Sequence, residues 1–238
     1  MANIDLIADG IYRINHPVQI PGGGFSFNQY LVLDDEPLLF HTGQRGLFPA
    51  TRDAIARVMD PAKLRYIAFS HFEADECGAL NELLAVAPEA VPVCSRVAAL
   101  TSINDQANRP PKVLADGDEL CLGKHSLRWF DTPHLPHGWE TGYMYDSATQ
   151  TLFCGDLLTQ PGDVTPALTE ADVLGPSEAF RAHMDYFSHG RDDDRLLAHL
   201  AATQPTTLAC MHGSAWQGDG AGLLMELAAS LSAASAAA

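Results

Sequence analysis

One stretch constrains the fold of this chain more than any other: Ser70-His71-Phe72-Glu73-Ala74-Asp75-Glu76-Cys77-Gly78. It follows the apolar run Leu64 to Phe69, which reads as a short buried strand. It precedes Ala79 to Val86, which reads as a helix ending before Pro88. The strand-to-helix turn therefore carries His71, Glu73 and Asp75, three good metal donors at alternate positions. An imidazole and two carboxylates crowded into one turn are costly unless something positive sits among them. A solvated acidic helix start is the competing reading, because Asp and Glu favour a helix N-terminus.

The rest of the chain weighs between the two. Gly10 to Ile14 and Phe25 to Leu33 read as strands, the second entered through Pro21-Gly22-Gly23-Gly24. A strand and not a helix follows those glycines, so a dinucleotide-binding loop is excluded and a turn or loop over an active site is expected. Pro37 to Gly43 is a further strand and turn, Phe48 to Met59 a helix, Val91 to Cys94 a strand and Ser95 to Ile103 a helix. Asp116-Gly117-Asp118 marks a turn. Ser126 to Phe130, Thr141 to Tyr145, Thr151 to Cys154 and Thr207 to Met211 are strands. Pro176 to Thr203 is largely helical with a break near Gly190, and a C-terminal helix is expected over about 217–235. No linker or repeat divides the chain, so a single domain over 1–238 is expected.

Four of these strands end in metal-capable side chains. The runs ending at Phe69, Phe130, Cys154 and Met211 lead to His71 with its carboxylates, to His134, to Asp156 and to His212. Loops at strand ends are where α/β folds gather ligands. Four such coincidences favour one shared metal site over four separate surface features. His137, three residues beyond His134, is its rival; the H-x-P spacing favours His134.

Composition narrows the partners. With 14 Lys and Arg against 30 Asp and Glu, the net charge of −16 excludes a nucleic-acid or anionic-membrane surface. The opening Met1-Ala2-Asn3-Ile4-Asp5 lacks the apolar segment of a signal peptide, and no run has transmembrane length. Five scattered cysteines (Cys77, Cys94, Cys121, Cys154 and Cys210) form no C-x-x-C pair, as expected of reduced thiols in a cytoplasmic protein.

From about Asn28 to Ser214 the sequence resembles the metallo-β-lactamase fold. Within it, it resembles the diiron branch: the oxygen- and nitric-oxide-reducing flavodiiron proteins and their oxygen-binding relatives. His71-x-Glu73-x-Asp75 carries the resemblance, because zinc hydrolases of the fold have histidine at the middle position. His134-Leu135-Pro136, Gly155-Asp156 and His212-Gly213 with Trp216 resemble the remaining ligand loops. The resemblance implies an αββα sandwich, two mixed sheets flanked by helices, with the site at one edge. It implies metal ligation by His71, Glu73 and His134 at one ion and by Asp75 and His212 at the other. Asp156 is the implied bridge, with Glu73 and Asp156 the groups nearest the chemistry. Three carboxylates would leave two divalent ions about one net positive charge, and Glu73 in place of a histidine hardens the site toward iron or manganese. The family motif usually continues with histidine; here Glu76 stands, either as a further ligand or turned to solvent. His41 ends a strand where the family often has aspartate, and is expected to be buried and hydrogen-bonded near the site.

The function so implied is a non-haem diiron protein, with two Fe ions, that binds, senses or reduces O2 or NO. No flavin-binding segment is recognisable. Electrons are therefore expected from a separate flavoprotein or a rubredoxin-like donor, and a homodimer is compatible with the family's habit. The alternative is a dinuclear zinc or manganese hydrolase acting on a thioester, lactone, lactam or phosphoester, with a metal-bound hydroxide as nucleophile.

Overall fold

The structure, a computed structural model, describes residues 2–237. The first sheet contains, in spatial order, β1 (Asn3–Ala8), β2 (Ile11–Ile20), β3 (Gly23–Val32), β4 (Leu38–Phe40), β5 (Tyr66–Ala68), β6 (Val91–Ser95) and β7 (Lys112–Leu114). Strands β1 to β4 pair antiparallel and β4 to β7 parallel. The second sheet contains β8 (Glu119–Cys121), β9 (Ser126–Asp131), β10 (Gly142–Asp146), β11 (Thr151–Gly155), β12 (Leu168–Thr169), β13 (Thr207–Cys210) and β14 (Ala215–Gln217). Its order is β12-β14-β13-β11-β10-β9-β8, with β11–β13 and β12–β14 parallel and the other pairs antiparallel. Both sheets are mixed, as expected.

Side-chain alternation assembles four layers from these two sheets. Tyr30, Val32, Leu38, Phe40 and Ala68 of the first sheet meet Leu127, Trp129, Met144, Phe153 and Ala209 of the second in a central core. Their chain neighbours Leu31, Leu39 and Ile67 point the other way, toward Ile55 of the helix Phe48–Ile55 and Leu83 and Leu84 of the helix Leu80–Val86. On the far side, Phe130, Leu152, Cys154 and Leu208 face Leu197 and Leu200 of the helix Asp193–Ala201, and Leu224 and Leu227 of the helix Gly220–Ala237. A period of two puts alternate residues on opposite faces, so each strand that is apolar throughout serves two layers. This is the αββα sandwich.

The elements differ from the sequence expectation mainly at their ends. The first helix stops at Ile55 rather than Met59. The expected helix over Pro176 to Thr203 is two helices, Leu174–Arg181 and Asp193–Ala201, with an irregular stretch between them. The Pro21 to Gly24 segment closes the long β2–β3 hairpin, with Ile20 paired to Gly23. Gly24 then lies so close to Asp163 that a Cβ would collide with that carboxylate, while its carbonyl accepts from Gly162 N at 2.8 Å. A side chain here would push the hairpin off the loop that follows β11.

Candidate metal centre

Seven donor side chains gather where β5, β9, β11 and β13 end. His71 follows β5, and Glu73 stands just before the one-turn helix Ala74–Cys77 that carries Asp75 and Glu76. His137 lies on the β9–β10 loop, Asp156 directly after β11 and His212 two residues after β13. Gly155, at φ 49°, and Gly213, at φ 86°, take backbone conformations that favour glycine beside Asp156 and His212.

The donors fall into two groups joined by one carboxylate. In the first, His137 Nε2 lies 3.0 Å from His71 Nε2 and 3.2 Å from Glu73 Oε1. Asp156 Oδ2 stands 3.5 Å from both ring nitrogens. In the second, His212 Nε2 lies 3.6 Å from Asp75 Oδ2 and 3.3 Å from the other oxygen of Asp156, Oδ1. Glu76 belongs with Asp75 and His212, and its Oε2 also comes within 3.8 Å of His71 Nε2. Asp156 thus turns one oxygen toward each group.

Each histidine is held from behind. His137 Nδ1 lies 2.7 Å from the carbonyl of Tyr186, and His212 Nδ1 lies 2.9 Å from that of Ser26. A carbonyl only accepts, so these Nδ1 atoms carry the proton and Nε2 is left to face the carboxylates. His71 Nδ1 instead meets the hydroxyl of Ser70 at 3.0 Å. The loop bearing His212 is anchored to the first sheet. Asn28 donates to the carbonyls of Cys210 and Gly213, Tyr30 to that of Cys210, and the buried Arg13 to that of Gly213. Phe25 packs on the His212 ring at 4.5 Å between centroids, and Phe180 stacks on Phe25.

The charges explain the chemistry such a site can do. Burial alone would depress His137, but the Glu73 carboxylate, with Asp156, outweighs it and pushes the ring up to about 9. His212 is likewise raised, against burial, by Asp156 and Asp75. The facing imidazoles hold Asp156 well below the usual carboxylate range in spite of its burial. Glu76 is the reverse case: burial first, then Asp156 and Asp75, drive it well above its ordinary value. Neither Glu76 oxygen has a hydrogen-bond partner, nor does Asp156 Oδ1. Orphaned buried carboxylate oxygens facing imidazole nitrogens fit cations that replace the protons there, and oxygen-rich donors of this kind suit hard divalent ions.

Of the residues singled out from the sequence, the structure brings together His71, Glu73, Asp75, Asp156 and His212. His134 is not among them. It is exposed, with φ 69°, its N–H bonded to the Gly138 carbonyl, and it joins no donor group among the described residues. His137 takes the place expected for it. The loop turns between the two, and the Tyr186 carbonyl, distant in sequence, decides which ring faces inward. Glu76 does not turn to solvent: it is 0% exposed and aimed into the cluster. His41 is buried at the site's rear, where burial lowers its ring to about 3 and keeps it neutral. His183, His189 and His199 are exposed, and Trp139 is exposed at the rim of a separate small cleft with Ser95 and Pro133.

The sandwich and its edge site define a metallo-β-lactamase-fold protein. Residues 25–213 match the family described as "ODP family beta lactamase", and the chain belongs to that family. It is 30% identical over 170 residues to a putative diflavin flavoprotein A 1 of Thermosynechococcus vestitus, covering 65% of this chain and 29% of that protein. It is 31% identical over 141 residues to an anaerobic nitric oxide reductase flavorubredoxin of Salmonella arizonae, covering 58% and 29% respectively. The chain therefore spans less than a third of the length of either. A fragment, residues 1–254, of a putative diflavin flavoprotein A 5 of Nostoc sp. PCC 7120 superposes with a TM-score of 0.84 at 18% identity, covering 98% of this chain and 96% of that one. The flavodiiron core of Flv1 from Synechocystis sp. PCC6803 superposes with a TM-score of 0.81 at 22% identity, covering 97% of this chain and 60% of that one.

Proposed function

We propose that this chain is a non-haem diiron protein that binds O2 or NO and reduces it with electrons from a separate donor. The observation that carries the reading is Asp156, whose two oxygens are divided between two sets of donors. In this reading His71, Glu73 and His137 would hold one ion and Asp75, Glu76 and His212 the other, with one oxygen of Asp156 offered to each group. With Glu76 included, four carboxylates would balance the charge of two divalent ions. Two iron ions there would bind the gas and pass to it the electrons that the separate donor supplies.

The chain's own residues do the rest. Glu73 is the donor whose side chain is half exposed, so its carboxylate can pass a proton between solvent and the site. Phe25 and Phe27 against His212, with Phe180 behind, cover that ring from solvent. The names of the relatives, a nitric oxide reductase flavorubredoxin and a diflavin flavoprotein, support NO as one of the gases and a flavoprotein or rubredoxin-like donor. We read residues 1–238 as one domain, since one central core joins both sheets. A cytoplasmic setting agrees with the unpaired thiols at Cys77, Cys94, Cys121, Cys154 and Cys210.

The test is anaerobic reconstitution with ferrous iron, reduction by a small-molecule donor, and measurement of O2 and NO uptake with electrodes. Stoichiometric uptake of either gas, lost after treatment with a chelator, is expected. No uptake by the iron-loaded protein, together with thioester or lactone hydrolysis by the zinc-loaded one, overturns the reading.

A further inference from the structure

Behind the donors runs a chain of contacts that none of the proposed ligands explains. His71 Nδ1 meets Ser70 Oγ at 3.0 Å, and Ser70 Oγ meets His41 Nε2 at 3.0 Å. His41 Nδ1 meets Met211 Sδ at 2.9 Å. Ser70 directly precedes His71 at the end of β5 in the first sheet. Met211 directly precedes His212 at the end of β13 in the second. Ser70, His41 and Met211 are each at most 1% exposed, so no water competes for these contacts.

We infer that His41 is a positioning residue: through Ser70 it fixes the direction in which His71 faces the metal centre, and through Met211 it ties that ring to the strand end carrying His212. The inference rests on the metal reading of the site given above.

Only one arrangement of protons satisfies every member. A His71 ring that offers the Nε2 lone pair inward carries its proton on Nδ1 and donates it to Ser70 Oγ. The Ser70 hydroxyl then has its proton free to donate, and His41 Nε2 accepts it. Neutral His41 keeps its remaining proton on Nδ1, where the thioether sulfur of Met211 is the acceptor. If the chain ran the other way, Ser70 would donate to His71 Nδ1 and the ring proton would sit on Nε2, against the metal. His41 thus acts on the centre without touching it.

The backbone around His41 adds to its hold. His41 sits at φ 67°, a left-handed conformation that is unusual for a residue with a Cβ. Its N–H donates to the carbonyl of Ala68, two residues before Ser70, at 2.8 Å. The following Thr42 N–H donates to the Glu76 carbonyl at 2.7 Å, and the Thr42 hydroxyl accepts from Ala79 N at 3.0 Å. Two consecutive residues, His41 and Thr42, therefore hold the backbone of β5, the turn that presents Glu76, and, through the sulfur, the residue before His212. The ring is neutral and bonds on both sides.

The test compares Ser70→Ala, His41→Leu and His41→Gln with the unaltered protein. Each is loaded with ferrous iron and titrated against a competing chelator. Ser70→Ala leaves the His71 ring proton without a partner, and His41→Leu leaves the Ser70 hydroxyl without its acceptor. Both are expected to weaken metal binding about 10–100-fold. His41→Gln keeps an acceptor near the Nε2 position and should recover most of that loss. A second readout is proton NMR of the ferrous protein, where ring N–H protons of bound histidines appear as shifted, slowly exchanging resonances. The resonance of His71 should broaden or vanish in Ser70→Ala, while those of His137 and His212 persist. An unaltered protein that binds no metal refutes the site itself. An unaltered protein that binds two ions, beside a folded Ser70→Ala protein with equal affinity and all three resonances, refutes the relay alone.

Discussion

The two donor groups differ in exposure and in charge. The first offers two imidazoles and Glu73, whose side chain is 53% exposed. The second offers one imidazole with Asp75 and Glu76, and Glu76 is completely buried. Solvent screens the first group, so its carboxylate costs little when no cation is present. No solvent reaches Glu76, and its charge is tolerable only when a cation is near or when it takes up a proton. In the proposed reading the first group is therefore open to solvent through Glu73, while the second needs a cation or a proton at Glu76. Asp156 is where the two properties meet.

The largest break in this comparison is at the shared carboxylate. Asp156→Ala should lose both ions, with metal content measured by plasma mass spectrometry falling from about two per chain to near none. Next come substitutions that strike one group. Glu76→Ala and His137→Ala should each leave about one ion per chain, Glu76→Ala sparing the first group and His137→Ala the second. If both empty the site completely, the groups do not act separately. Glu73→His sharpens the contrast in hardness. It should keep two ions but shift the preference toward zinc in competition, and lower gas uptake by the iron-loaded protein by at least about 10-fold. The smallest effect belongs to His134→Ala, which should leave metal content and uptake unchanged. A loss there as large as at His137 would mean that the loop turns the other way when metal binds.

What the sequence reveals about this site depends on the distance over which each contact is made. The H-x-E-x-D turn is legible because strand, turn and helix follow within a few residues, and the alternating pattern needs no distant partner to interpret. The sandwich is legible for a similar reason, since apolar runs such as Leu38 to Phe40 and Leu152 to Cys154 are short, uninterrupted and bounded by turn residues. The choice between His134 and His137 is not legible. It depends on a bond from His137 Nδ1 to the Tyr186 carbonyl, far along the chain, and the nearby proline pattern points to the ring that lies outside the donor cluster. Glu76 shows the same limit. Its residue type leaves solvent and metal equally open, and only the Thr42 contact to its carbonyl and its complete burial turn it inward. His41 is visible in the sequence as an oddity at a strand end, but its link to Met211 requires both sheets to be in place.

The most direct test of the central claim is the metal content of protein produced in iron- and zinc-replete medium and purified without added metal or chelator. The account predicts about two irons per chain, both lost in Asp156→Ala. Two zincs per chain, with no iron taken up on anaerobic reconstitution, would contradict it.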